Sequence, residues 1–247
     1  MGIIDQFRLA VAGVQAGQDE GPAGLPIRLS RACGRVLPVV GAGLSLFSDP
    51  TMRIPVGASD DTAATAERLQ FTVAEGPCFH AHRTGQPVVA TETVIADRWP
   101  FFHDQLLTQT PIRGIVSTPL GDGFSGVGVL DLYCHRSADV GVIDLDTVNE
   151  VVEHIGAALA EEAMFPAFRS GPPWNGPLWL RNPQVTARGY VLIAMGMISV
   201  ALNVGLDDSL AALRAHAFAT DRTLDITAYD IVHRTLSTAD LAPDTNS

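Results

Sequence analysis

The sequence predicts an α+β protein in which a domain with an antiparallel sheet and flanking helices is followed by an all-α bundle of three helices. Short apolar runs broken by Gly and Pro fill residues 35–133, which is typical of strands joined by turns. After residue 184, three helix-start signals recur about one helix length apart. The chain has 247 residues, 47% hydrophobic and 17% charged, which suits two packed domains and excludes a disordered chain.

Five apolar segments are predicted as the strands of the sheet. In chain order they are Val36–Ala42, Gly43–Phe47, Pro87–Ala90, Gly114–Leu120 and Gly126–Tyr133. We expect the first two to pair as one hairpin, and the last two as a second hairpin around the turn Gly121-Asp122-Gly123. An antiparallel sheet follows from these pairings.

A helix is predicted from about Val142 to Met164, where apolar residues recur at alternating spacings of three and four. This spacing places them along one narrow seam, which packs either on the protein's own sheet or on a second chain. The seam consists of Leu145, Val148, Val152, Ile155 and Leu159. The stretch Ile3–Val14 is expected to add a second helix to the same layer.

Residues 166–183 are predicted as a linker, because Gly171-Pro172-Pro173 and Asn175-Gly176-Pro177 interrupt helices and strands alike. Trp174 and Trp179 lie inside this segment. A merely solvated linker seldom needs two tryptophans, so we expect at least one of them to dock on a domain surface.

The three C-terminal helices are delimited by turn and cap residues. The first apolar run ends at Asn203–Gly205, the second begins at Asp207-Asp208, and the third follows Asp221. Small residues occupy positions where larger ones would hold the helices further apart, which predicts close packing. They are Ala194, Gly196, Ala217 and Ala228.

The charge of the chain limits the classes of partner. The formal net charge is -11 and all basic residues are arginine, which argues against a general nucleic-acid binder and requires any RNA site to be local. Cys33, Cys78 and Cys134 lack the spacing of a disulfide framework or a zinc site, so a reducing cytoplasm is expected. The longest apolar run, Val191–Leu202, is shorter than a membrane helix, and we expect a soluble, unexported protein without a membrane partner.

Motifs of catalysis and metal binding are sparse. The sequence has no nucleophile elbow, P-loop, dinucleotide fingerprint or HExxH motif, which favours a protein that is not an enzyme. His80 and His82 are two residues apart near Cys78, but side chains at that spacing on a helix face different directions, so no metal site is expected.

The C-terminal segment resembles the ANTAR domain, the three-helix RNA-binding module of bacterial antitermination regulators. The resemblance rests on Ala194-Met195-Gly196, Leu213–Phe218, Arg222-Thr223-Leu224 and Ala228–Val232, and covers about fifty residues. It assigns structural roles to Ala194, Gly196, Leu213, Ala217, Leu224 and Ala228. Arginines can bond phosphate and Tyr229 offers a ring to an unpaired base, so the candidate RNA contacts are Arg188, Arg214, His216, Arg222, Tyr229, His233 and Arg234. Phe218 is expected in the bundle core with Leu213, Ile231 and Val232.

The preceding region resembles a GAF domain of the actinobacterial regulator type, a small-molecule sensor with a central antiparallel sheet. The strings that carry the resemblance are Glu75–Cys78, Thr84–Val88, Arg98–Pro100, and Pro119-Leu120 ahead of Gly128–Tyr133. This implies a ligand cavity of mostly apolar lining, although the ligand, or any cofactor, is unknown. The candidate lining residues are Phe47, Phe71, Phe79, Trp99, Phe101, Phe102, Ile115 and Leu130.

The order of the two resemblances predicts a cytoplasmic bacterial regulator with a GAF-like sensor in residues 1–165 and an ANTAR-like domain in residues 184–240. It implies a homodimer that binds paired hairpins in nascent RNA, prevents a terminator from forming, and responds to a small molecule. One alternative is a ligand-binding or dimerisation protein whose tail binds another protein, favoured by the charge of -11 and by Met195, where many ANTAR domains have Lys. A second is a methionine sulfoxide reductase of the GAF type that uses Cys78.

Overall fold

The computed structural model describes residues 1–13, 22–48, 50–121, 123–164, 178–181 and 183–241. The helices are α1 (Ile3–Ala12), α2 (Leu25–Val36), α3 (Asp61–Val73), α4 (Pro77–Thr84), α5 (Glu92–Arg98), α6 (Pro100–Gln109), α7 (Leu145–Met164), α8 (Pro183–Leu202), α9 (Leu206–Ala219) and α10 (Leu224–Val232). The strands are β1 (Gly41–Phe47), β2 (Arg53–Ala58), β3 (Val88–Thr91), β4 (Gly114–Pro119) and β5 (Gly128–Cys134).

The five strands form one sheet in the order β2-β1-β5-β4-β3, and every neighbouring pair is antiparallel. Leu44 pairs with Leu130 across β1 and β5, and Thr118 pairs with the same Leu130 from β4. The hairpin of β4 and β5 is confirmed, and so is the short strand β3. The predicted α+β class with an antiparallel sheet is therefore correct.

The first predicted hairpin is wrong. The single strand β1 covers its second arm, while residues 25–36 form α2 and Leu37–Val40 connect the two. Pro26 in the first turn suits a helix start, because proline costs no helical hydrogen bond there. The true partner of β1 is β2, which contains Pro55 and Gly57 and therefore looks like a turn in the sequence.

One face of the sheet packs on α1, α2 and α7. Phe7 of α1 is buried there and meets the His154 ring of α7 edge to face, with ring centroids 5.8 Å apart. Four seam residues of α7 are buried in the same core, namely Val148, Val152, Ile155 and Leu159. The seam thus packs on the protein's own sheet, and the predicted N-terminal helix lies in the same layer.

The opposite face packs on the four helices α3 to α6 and holds a mixed core. Apolar side chains such as Ile115 and Val129 share this face with Ser45, Ser117 and Asp131, all of them buried. Strand positions usually filled by Val or Ile are therefore polar on this side of the sheet.

The helices α8, α9 and α10 form a three-helix bundle that packs on β2 and α3. Ala194, Leu213, Ala217, Leu224 and Ala228 are buried in its core. Gly196 was predicted to allow close packing of the helices, but a Cβ added there would meet nothing within 4 Å in this chain, so no close contact requires glycine at this position.

Phe218 corrects a second expectation for the bundle. Its side chain is 46% exposed and lies against Phe101 of α6, with ring centroids 5.8 Å apart, rather than in the bundle core. The helix α9 therefore turns an aromatic residue toward the sheet domain.

Trp179 confirms the docking expected within the linker. It is buried in the core beside α1, α2 and α7, and its ring lies 6.1 Å from that of Phe124. Trp174 and most of the predicted linker lie outside the described residues.

One helix segment in the described part of the chain, Val185–Leu202, is long and apolar enough to cross a membrane by length and composition alone. A core helix of a soluble protein meets the same criterion, and this segment belongs to the bundle.

We predict opposite effects of alanine at two glycines. A Cβ at Gly57 would lie 2.5 Å from the backbone oxygen of Pro26, so Gly57→Ala should lower the free energy of unfolding by about 1–3 kcal/mol. Gly34 in α2 has nothing within 4 Å of an added Cβ, and Gly34→Ala should raise stability by up to about 1 kcal/mol. Urea denaturation of both variants checks this, and equal stabilities would contradict the close contact between α2 and β2.

Candidate functional site

A cluster of ionisable side chains is buried between the sheet and α3. The Arg53 guanidinium extends from the edge strand β2, and its Nη2 bonds both Glu67 Oε2 and Asp131 Oδ2, the latter at 2.9 Å. These three side chains are at most 1% exposed. A cation buried with two carboxylates is stable only when the remaining hydrogen-bonding groups are also satisfied.

Neutral side chains complete the bonding of both carboxylates. Ser45 Oγ donates to Glu67 Oε2 at 2.6 Å, and the Tyr133 hydroxyl donates to Glu67 Oε1. Ser117 Oγ and Gln70 Nε2 donate to Asp131 at 2.5 Å and 2.9 Å. We call Ser45, Arg53, Glu67, Gln70, Cys78, Ser117, Asp131 and Tyr133 the polar chamber.

Gly43 makes room for this arrangement. A Cβ at that position would collide with the Glu67 carboxyl group, so a side chain on β1 would displace it from Arg53 and Tyr133. The absence of a side chain at Gly43 is thus a requirement of the polar chamber rather than of a turn.

Cys78 belongs to the polar chamber from its place in the first turn of α4. Arg53 Nε donates to Cys78 Sγ at 3.0 Å, and the Cys78 amide donates to Gln70 Oε1 at 2.9 Å. Burial raises the pKa of this thiol well above its ordinary value, with Arg53 opposing the shift. The uncharged thiol is a poor nucleophile, because thiolates carry cysteine reactivity.

The other two thiols lie across the sheet from Cys78. Cys33 and Cys134 are free and buried in the core with α1, α2 and α7. Burial raises the pKa of Cys134 to about 11 and that of Cys33 further. The structure therefore does not bring the three cysteines together.

The residues predicted to line a ligand cavity divide into two groups. Five belong to or pack against the core beside the polar chamber, namely Phe47, Phe79, Trp99, Phe102 and Ile115. Leu130 points to the opposite face of the sheet, Phe71 enters the core of the C-terminal bundle, and Phe101 is largely exposed. These last three do not line a common site with the others, because strand alternation and helix rotation direct them elsewhere.

The polar members of the chamber were missed as site residues in the sequence. Ser45, Ser117 and Asp131 sit at alternate positions of their strands, which resembles a solvent-facing pattern. The one sequence feature that could have indicated this buried polar site is Asp131 within the otherwise apolar run Gly128–Tyr133. A buried carboxylate in such a run requires a cation, and the sequence does not reveal which arginine supplies it.

The candidate RNA contacts of the bundle are only partly accessible. Arg188 is 1% exposed and pairs with Asp225, 3.1 Å away, so it is not accessible to RNA in this arrangement. Burial, together with repulsion from Arg53 and Arg214, lowers the pKa of Arg188 to about 10. Arg214 Nη2 donates to the Thr51 carbonyl at 3.2 Å, and Arg222 pairs with Asp230.

The remaining candidates are partly or fully exposed. His216 is half-buried, and Arg234 is exposed at the end of α10. Tyr229 and His233 stack with ring centroids 3.9 Å apart and planes 25° apart, and Tyr190 meets Tyr229 edge to face at 5.2 Å. We call these three rings the ring cluster of the bundle.

Comparisons with known proteins point to one family. A family model of the GAF domain matches residues 25–160, which is more than half of the chain. A solved GAF domain from a phosphoenolpyruvate-protein phosphotransferase of Coxiella burnetii is 12% identical, with a TM-score of 0.45 over 64% of this chain and 93% of that chain. Free methionine-R-sulfoxide reductase from Neisseria meningitidis, solved with its substrate, is 14% identical, with a TM-score of 0.41 over 64% of this chain and 86% of that chain. No curated protein matches the chain.

The polar chamber predicts a pH dependence of stability. Desolvation raises the pKa of Glu67 from 4.5 to about 7, against the attraction of Arg53. The folded protein holds the Glu67 proton more tightly than the unfolded chain does. The contribution of protonated Glu67 to the free energy of unfolding is therefore complete below about pH 4.5 and is lost as the pH rises through about 7. Relative to Glu67→Gln, the wild type should lose about 1–3 kcal/mol of unfolding free energy between pH 5 and pH 8.

Urea titrations at several pH values measure this difference, with Glu150→Gln as the control on the exposed face of α7. A difference between the wild type and Glu67→Gln that stays constant with pH, or grows as the pH rises, would contradict the raised pKa.

Proposed function

The chain belongs to the GAF domain family, and from this premise we propose a cytoplasmic regulator in which a small-molecule sensor controls a C-terminal RNA-binding bundle. Membership of this family indicates a sensor or ligand-binding role for residues 25–160. The RNA-binding output is our proposal, supported by the resemblance of the C-terminal helices to the ANTAR domain.

The polar chamber is the part of the sensor best suited to respond to a signal. It joins β2, β5, α3 and α4 through the single guanidinium of Arg53. Five of the predicted ligand-lining residues adjoin it. A small molecule that rearranged the bonds of Arg53 would shift all four elements, and it would act only through its preference for one arrangement.

We do not propose a catalytic reaction at Cys78. Its thiol accepts a hydrogen bond from Arg53 and is buried, and the other two cysteines lie across the sheet. This arrangement supports a binding role over the reductase alternative.

The ring cluster of the bundle is the observation that carries the RNA proposal. Tyr229 is 47% exposed, and His233 stacks beneath it on the same helix end. An exposed ring held by other rings suits stacking of an unpaired base, which is how proteins recognise single-stranded loops. Arg234 follows directly in the sequence and is exposed, so a cation lies near the rings for the adjoining phosphate.

Under this proposal two copies of the protein bring two bundles to two hairpins of a nascent transcript and thereby prevent a terminator from forming. The seam of α7 does not provide the contact between copies, because it is buried on its own sheet. The exposed side of α8 is suited to it, since Leu192, Ile193 and Val200 face outward there.

The same exposed side of α8 favours the second candidate function, a tail that binds another protein. Ile193 is 53% exposed and Val200 is 85% exposed, and no charged residue follows Arg188 in the helix. Such a surface suits an apolar partner better than RNA.

We predict that Tyr229→Ala weakens binding of the full chain to an RNA with two adjacent short hairpins. Loss of one stacked base corresponds to about 5- to 100-fold in affinity. Tyr229→Phe keeps the ring and should bind like the wild type. Salt titrations of both variants measure this, with a single hairpin and a duplex as comparison RNAs.

Leu9→Ala serves as the control, because Leu9 is exposed on α1 in the sheet domain. If Tyr229→Ala and the wild type bind the two-hairpin RNA equally, the ring cluster is not the contact. If a folded wild type binds none of the RNAs at any salt concentration, the proposed function fails and the protein-binding tail becomes the better account.

A further inference from the structure

The C-terminal bundle and the sensor share one hydrophobic core. Phe71 at the end of α3 and Met52 beside β2 are buried among the bundle residues Val191, Leu213 and Ala228. The sensor thus supplies side chains that close the core of the bundle. Separation of the two would expose this apolar surface to water.

Polar and aromatic contacts surround this shared core. Thr72 Oγ1 accepts a hydrogen bond from the Leu224 amide at 3.2 Å, which caps the start of α10 from the sensor side. The rings of Phe101 and Phe218 meet edge to face, as described above. A groove of about 330 Å³ lies between the two parts, lined by Thr72, Val73, Phe101, Arg214, Ala215 and Phe218.

Arg188 makes this contact costly. Its guanidinium carbon lies 3.4 Å from the centroid of the Phe71 ring, and Arg214 lies over the same ring at 5.1 Å. Arg188 approaches Asp225, yet no nitrogen of its guanidinium has hydrogen-bond geometry to any group in the described part of the chain. The Phe71 ring attracts this cation, but with one ion pair and no hydrogen bond its loss of water is compensated only in part.

Two opposing effects therefore meet at one surface. Burial of Phe71 and Met52 and the hydrogen bond from Arg214 to the Thr51 carbonyl hold the bundle on the sensor, whereas hydration of Arg188 favours its release. A contact of this kind is suited to two states of similar free energy, which a small signal can interchange.

We propose that the contact described here is a closed state, in which the sensor withholds the Arg188, Arg214 and Phe218 side of the bundle from RNA. Opening separates Phe71 and Thr72 from the bundle, returns Arg188 to water, and releases Arg214 from the Thr51 carbonyl so that both arginines can bind phosphate. This inference rests on the proposed RNA-binding function and adds its regulation.

The helix α3 links this contact to the polar chamber. Glu67 and Gln70 point into the chamber, while Phe71 and Thr72, less than two turns along the same helix, hold the bundle. Arg53 also donates to the backbone oxygen of Glu67 at 2.6 Å, so the position of Arg53 is coupled to the backbone of α3. A signal that changes the bonds of Arg53 moves the end of α3 that closes the bundle.

The test uses the full chain with Thr72→Val and Phe101→Ala combined. Both substitutions lie on the sensor side, so the RNA-contacting residues of the bundle are unchanged. Together they remove the cap on Leu224 and the ring contact with Phe218. Val142→Ala, at an exposed position ahead of α7, is the control.

Two quantities are measured, namely the hydrogen exchange rates of residues 68–74 and 210–218, and the dissociation constant for the two-hairpin RNA. RNA that must contact the withheld side as well as the ring cluster binds only the open state, so the inverse of the open fraction raises its apparent dissociation constant. Loosening should therefore increase exchange and tighten binding in parallel, each about tenfold. RNA-saturated wild type should likewise exchange faster than free protein at residues 68–74.

The outcomes separate the two proposals. Faster exchange in the double variant with unchanged RNA affinity would overturn the closed state and leave RNA binding intact. The closed state would also be overturned, independently of any variant, if residues 68–74 of RNA-saturated wild type exchanged hydrogen as slowly as in the free protein. Absence of RNA binding by both the wild type and the loosened variant would reject the proposed function itself, and with it this inference.

Discussion

The buried guanidinium of Arg53 is the interaction on which the sensor domain depends. Without access to water it must be paired, and it meets Glu67 of α3, Cys78 of α4 and Asp131 of β5 from its place on β2. One side chain therefore fixes four elements relative to one another. The same requirement explains why Gly43, Ser45 and Ser117 lie on this face of the sheet beside apolar residues such as Ile115 and Val129.

A network of this kind contributes specificity more than stability. Desolvation of these groups offsets much of their attraction, and replacement of buried ion pairs by apolar residues of equal volume is often neutral in proteins. Removal of one partner, by contrast, leaves a buried charge alone and is strongly destabilising. Because Arg53 bonds both the side chain and the backbone oxygen of Glu67, a change in its bonds bears directly on the position of α3. Such a link is what a sensor needs to pass a local change to a distant surface, in agreement with the proposed role.

The sequence predicts the parts of this structure whose pattern is local. The hairpin of β4 and β5, the seam of α7 and the three C-terminal helices follow from periodicity and cap residues within single segments. The strand β2 was missed because Pro55 and Gly57 look like turn residues, although both suit an edge strand covered by α2 and α8. The polar chamber and the buried Arg188 depend on partners far apart in the chain. Arg188 contacts Phe71, more than a hundred residues before it, and Asp225, which follows it in the chain, and no local sequence pattern predicts either contact.

The distribution of arginine also limits the RNA-binding surface that we propose for the bundle. In this arrangement Arg53 and Arg188 are buried, and Arg222 is paired with Asp230, in a chain whose net charge is -11. General attraction to phosphate is therefore weak, and affinity has to come from a small number of specific contacts. Under the proposed function, stacking of bases on Tyr229 and His233 would supply such contacts without a basic patch. A duplex keeps its bases stacked on one another, so a surface that depends on rings selects unpaired loop bases and rejects double-stranded RNA.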